Sequence, residues 1–176
     1  MWGQSPWGGY GANPLVSRFQ RLWDQTNGKV VGGFPYSEGI YEDMNKAICA
    51  QLYWNPRQPA IETMKEYIAY EFSPDVVEEV AKALMILEAN HVREQIGDDA
   101  IKAFELIQKA EEKLTPQAKS GWRWRIIYLR ALIDRELLVR KGKLEGEVLK
   151  SAFNELTQIY HAGNAHSMPV RPPVIE

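Results

Sequence analysis

The chain has 176 residues, 45% of them hydrophobic and 25% charged, which is enough for a sizeable core and unlike a disordered composition. Its net charge of −2 supplies no basic field for non-specific nucleic-acid binding, and no apolar run approaches the ~18 residues that would span a membrane. Cys49 is the only cysteine, so an intramolecular disulfide is excluded, and the first residues show no signal-peptide pattern.

Residues 1–14 have loop composition, with Pro6, Pro14 and four glycines set among Trp2, Trp7 and Tyr10. Residues 15–25 place Leu15, Phe19, Leu22 and Trp23 at helical spacing and stop at Asn27-Gly28. Residues 29–34 (Lys-Val-Val-Gly-Gly-Phe) then read as a strand, followed by a loop carrying Tyr36 and Glu38 and by a helix over residues 42–52. A lone strand has no partner for its backbone N–H and C=O groups, which are costly to bury unpaired. It therefore lies on a sheet that this chain does not contain, or it is an extended connector. Helix, strand, loop and helix in that order is the layout of one repeat of an α/β barrel.

Beyond Asn55-Pro56 everything reads as helix. Helices are expected over residues 61–72, 74–90, 98–114, 117–140 and 147–161, with Ser73-Pro74 and Thr115-Pro116 as cap-plus-proline starts and Gly142 and Gly146 as breakers. The expected fold is mainly α: a bundle of about five helices over residues 57–176, preceded by a helix–strand–helix remnant of an α/β barrel over residues 1–56.

Candidate site residues follow from this layout. Glu38, in a loop after a strand, could bind sugar hydroxyls by charge-assisted hydrogen bonds, act as acid or base if a second carboxylate stood opposite, or simply cap the next helix. Glu42 and Asp43 suit a helix start, and Asn45 could donate behind them. Trp7, Tyr36 and Tyr41 belong to an aromatic group that could stack on sugar rings or pack against a missing neighbour. Arg123 and Arg125 look like an anion clamp, but helical spacing sets Trp122, Ile126, Leu129 and Ile133 on one stripe, and Asp134 and Glu136 compensate Arg130 and Arg140. His91, His161 and His166 lack metal-ligand spacing, no cofactor motif is present, and Cys49 reads as a small core residue.

The stretch Tyr36-Ser-Glu-Gly-Ile-Tyr-Glu-Asp-Met-Asn-Lys46, with Gln51-Leu-Tyr-Trp54, resembles the end of the catalytic barrel in bacterial glycoside-hydrolase-like proteins. Trp122-Arg-Trp-Arg-Ile-Ile-Tyr-Leu-Arg-Ala-Leu-Ile-Asp134 and Ile159-Tyr-His161 resemble the helical domain that follows it. The resemblance implies a carbohydrate-processing parent, with Glu38 near its sugar site and the catalytic groups elsewhere; Tyr36, Tyr41 and Trp7 are the further candidates for contact with the sugar. Glycosidase chemistry needs two carboxylates held across the scissile bond, so the chain alone is expected to be inactive. Its expected partners are a carbohydrate in the parent and the missing barrel portion. The alternative is a non-enzymatic helical interaction module that docks a protein at its aromatic N-terminal face.

Overall fold

The computed structural model describes residues 13–33, 42–90, 96–163 and 173–176, and among them it contains eight α-helices and no strand. In chain order these are α1 Val16–Thr26, α2 Asp43–Trp54, α3 Ala60–Glu71, α4 Val77–Ala89, α5 Ala100–Lys113, α6 Pro116–Ser120, α7 Trp122–Val139 and α8 Glu147–Gly163. A 3₁₀ turn, Pro74–Val76, leads into α4. The chain is thus mainly helical, as its periodicity predicts. The strand expected over residues 29–34 is not shown: residues 29–33 form the end of a turn, a bend at Val31 and irregular backbone. Val-Val there suits a strand, but strand geometry needs a partner's backbone, and none is present among the described residues.

The two cap-plus-proline signals work as expected. The Ser73 hydroxyl accepts from the Asp75 N–H at 3.1 Å, and the Thr115 hydroxyl accepts from the Ala118 N–H at 3.2 Å. The helix expected over residues 117–140 is two helices, broken at Gly121. Gly121 takes an extended conformation, and its N–H folds back on Gln117 and Ala118. A Cβ at that position would stand 3.3 Å from the Ala118 carbonyl oxygen, so the close approach favours glycine. Gly142 and Gly146 end α7 and start α8 with φ of +79° and +95°, a region that costs other residues energy.

α7 is the central helix. It buries Trp124, Leu129 and Ile133 against α4, α5 and α8, through partners such as Leu84, Ile107 and Phe153. Val16 of α1 and Ile48 and Leu52 of α2 belong to the same buried cluster, so the helices before residue 56 share a core with those after it. Burying each such side chain contributes about 1.5–3 kcal/mol.

α1 has no acidic residue in its first turn and no side-chain cap of its own. Its free N–H groups are satisfied from a distance. Glu88 of α4 accepts from the Ser17 and Arg18 N–H groups, each at 3.0 Å. Asn45 of α2 accepts from the Leu15 N–H at 3.1 Å and donates to the Asn13 carbonyl at 2.8 Å. A negative side chain at a helix N-terminus also complements the helix dipole.

Candidate functional site

Four residues singled out in the sequence, Trp7, Tyr36, Glu38 and Tyr41, lie outside the described residues. What the structure places is the framework on either side of them, at Asn13 and at the first turn of α2.

That first turn is held by a charged cluster. The Arg123 Nε donates to Asp43 Oδ2 and lies 3.3 Å from a Glu71 carboxylate oxygen, so one guanidinium ties α7 to the start of α2 and the end of α3. Asp43 Oδ1 also accepts from the Met44 N–H at 3.1 Å. Tyr67 of α3 stands beside them. Burial pushes its hydroxyl well above the ordinary tyrosine value, and the adjacent Asp43 adds to the rise, so the phenol stays protonated and can only donate or accept hydrogen bonds. Burial works to lower the Arg123 guanidinium, but the hydrogen bond to Asp43 and the charges of Asp43 and Glu71 together raise it above its ordinary value. Asp43, Asn45, Tyr67, Leu84, Arg123 and Ile126 help to line a cavity of about 30 Å³. That is room for roughly one water molecule. It is too small for a sugar ring or a cofactor.

The second arginine of the expected clamp is engaged in the same way. Arg125 donates through two nitrogens to Glu155 of α8 at 2.7 and 2.9 Å and lies 3.8 Å from Glu111 of α5. Glu111 also accepts from the buried Trp124 indole at 3.0 Å. Arg123 and Arg125 are therefore cross-links between helices, each matched by carboxylates. Two residues apart on a helix, Arg123 and Arg125 point about 200° from each other around α7 and so reach carboxylates on different neighbouring helices rather than converging on one anion.

Beneath this lies a buried polar network that the sequence signals only in part. Arg130 and Asp134 are both fully buried and are joined at 3.0 Å across one turn of α7. The other Arg130 nitrogens donate to Asn13 Oδ1 at 2.6 Å and to the carbonyls of Leu87 and Asn90 at 3.1 and 2.9 Å. Asn90 in turn accepts from the Gly97 N–H at 2.9 Å. One side chain thus closes the C-terminus of α4 and fastens the segment leading into α1. Burial pushes the Asp134 carboxyl up to about 6, with Arg130 and Asn90 pulling the other way. The i,i+4 spacing of Arg130 and Asp134 was visible in the sequence; that the pair is buried and holds Asn13 and Asn90 was not.

Elsewhere, Glu136 accepts from Arg135 and Arg140, as its spacing to Arg140 suggests. Cys49 is half-buried on α2, where burial pushes its thiol above the ordinary value, which suits a packing role better than a reactive one. Among the described residues no three His, Cys, Asp or Glu side chains stand together to hold a metal, and no helix is long and apolar enough to cross a membrane.

Comparison with known proteins found no family model, no curated protein and no solved structure that matches the chain.

Proposed function

We propose that the chain is a piece of a carbohydrate-processing, glycoside-hydrolase-like protein, inactive alone, that supplies one sugar-site loop and the helical domain bracing it. Residues 1–56 are the terminal helix–strand–helix of an α/β barrel in this reading, and residues 57–176 are the bundle behind it. Tyr36, Glu38, Tyr41 and Trp7 contact the sugar. The observation that supports the bracing role is the Arg123 cross-link: Asp43, at the start of α2, is tied to α7 and through Glu71 to α3. Such a tie limits how far the end of the preceding loop can move, and a binding loop on a rigid support loses less entropy when it takes its ligand.

The test joins the chain to the sequence encoded immediately upstream and assays aryl-glycoside hydrolysis. The joined protein hydrolyses the glycoside, the isolated chain does not, and Glu38→Gln lowers kcat/KM at least tenfold in the joined protein. Wild-type kcat/KM in the Glu38→Gln variant would overturn the sugar-site assignment.

A second reading, a non-enzymatic module that docks a protein at its N-terminal face, draws on one specific observation. Five large apolar side chains, Leu22, Val30, Val31, Tyr53 and Trp54, are exposed around the ends of α1 and α2. Under this reading the joined protein hydrolyses no glycoside, and replacing Leu22 and Trp54 by Ser weakens binding of the protein partner.

A further inference from the structure

The Asn27-Gly28 pair that ends α1 carries chemistry of its own, and it is the one Asn-Gly pair in the chain. Both residues are exposed. The Asn27 N–H donates to the Trp23 carbonyl at 2.7 Å, and the Lys29 N–H closes the turn on the Thr26 carbonyl at 2.9 Å. Between these bonds, the Gly28 N–H and the Asn27 side-chain amide make no hydrogen bond among the described residues. Gly28 sits at φ +80°, with open space where a Cβ would stand. A backbone nitrogen unshielded by any side chain thus lies next to a carboxamide in solvent, which is the arrangement that lets the backbone attack the side chain.

The other described asparagines are blocked. Asn13 and Asn55 precede prolines, which have no N–H to give up. Asn45 and Asn90 are buried, with side chains in hydrogen bonds to Leu15, Asn13 and Gly97. Asn154 lies inside α8, where the backbone is held in helical geometry.

We infer that Asn27 is a site of spontaneous covalent modification, at which the Gly28 nitrogen closes on the Asn27 Cγ and the side-chain amide is lost. The bond from the Gly28 nitrogen to Cγ forms as the Cγ–Nδ2 bond breaks. The Gly28 proton passes to solvent base, and ammonia leaves with a proton from water. Water then opens the five-membered imide. Attack at Cγ gives aspartate, and attack at the main-chain carbonyl leaves the chain running through Cβ as isoaspartate. In sum one water is consumed and one ammonia released, with no oxidant or reductant.

Local geometry sets the rate. Asn27 has ψ of 129°, which holds the Gly28 nitrogen away from its side chain. The ring closes only after ψ rotates to bring that nitrogen beside Cβ. Such a rotation opens a turn closed by one exposed backbone bond, so local fraying of α1 gates the reaction rather than global unfolding. Either product places a carboxylate at the C-terminal end of α1, where the helix dipole is already negative and Asp24 lies one turn back. Isoaspartate also adds a carbon to the backbone between α1 and residues 29–33. The last turn of α1 therefore loosens. None of this depends on the sugar-site reading.

The test incubates the folded chain at pH 8 and follows the tryptic peptide of residues 22–29 by mass spectrometry, with electron-transfer fragmentation separating isoaspartate from aspartate. Conversion at Asn27 outruns that at Asn154 at least tenfold, and isoaspartate is the larger product. At pH 6 the rate falls at least fivefold, because the nitrogen attacks only after losing its proton. Gly28→Ala slows conversion at least fivefold, and Asn27→Gln stops it with the helical circular dichroism unchanged. Conversion in urea with none in the folded chain overturns the inference. So does an Asn27→Gln peptide that converts at the wild-type rate, which would place the loss at Gln25. Amide exchange in the last turn of α1 accelerates at least threefold in the isoaspartyl form, and a wild-type rate there would refute the loosening.

Discussion

Replacing Arg130 by Met is the sharpest test of what holds the chain together. The substitution keeps most of the volume and removes the positive charge paired with Asp134, in a place where both side chains are fully buried. It also takes the donors away from Asn13 and from the Leu87 and Asn90 carbonyls. Breaking a buried pair by removing one partner costs about 3–5 kcal/mol, because the remaining charge is left without compensation. For a chain of this size that lowers the melting temperature by roughly 6–20 °C. Much of the loss comes from stranding Asp134, so Arg130→Met/Asp134→Leu regains a large part of it.

The pH dependence supplies the second arm. Burial raises the Asp134 carboxyl from 3.8 to about 6, so over that interval the folded chain keeps a proton that the unfolded chain has lost. The resulting stabilisation is complete below pH 3.8 and is lost as pH rises through about 6, a difference on the order of 3 kcal/mol. Without Arg130 the folded-state value climbs further, so the single variant recovers stability on acidification from pH 8 to 5, while the double variant does not. Urea unfolding followed by far-UV circular dichroism at the two pH values measures both effects. Equal stability of the single and double variants at pH 8, or a loss in Arg130→Met that does not shrink with acid, would refute the account of a compensated buried charge.

Two further outcomes are expected from the helix starts. Glu88→Ala leaves the Ser17 and Arg18 N–H groups without their capping acceptor, which costs about 0.5–2 kcal/mol locally. Amide exchange across α1 therefore accelerates at least fivefold in that variant while exchange in α7 keeps its wild-type rate; uniform acceleration would show that α1 does not open on its own. Ser73→Ala and Thr115→Ala each remove one capping acceptor and lower stability by about 1 kcal/mol in urea titrations. Proline already occupies the next position in both, so the helix start does not move, and a boundary shift seen in NMR chemical shifts would contradict the capping role.

How far the sequence reads through to the structure depends on the range of the interaction. Caps and breakers are local, and Ser73, Thr115, Gly142 and Gly146 act where their chemistry predicts. Helical periodicity is nearly local, so the helices appear within a few residues of their expected bounds. The misplaced joint, Gly121, is decided by a close approach of its own α-carbon to the Ala118 carbonyl, which periodicity does not register. Long-range satisfaction was not legible at all. Glu88 capping α1 and Asn45 holding Asn13 join residues 70–71 and 32 positions apart, and nothing in either segment alone names the other. The candidate sugar residues stand at the far end of this scale. Trp7, Tyr36, Glu38 and Tyr41 were drawn from loop composition and from a resemblance, and loops take their shape from what they contact. If those contacts come from a sheet beyond this chain, no reading of its residues alone could supply the geometry.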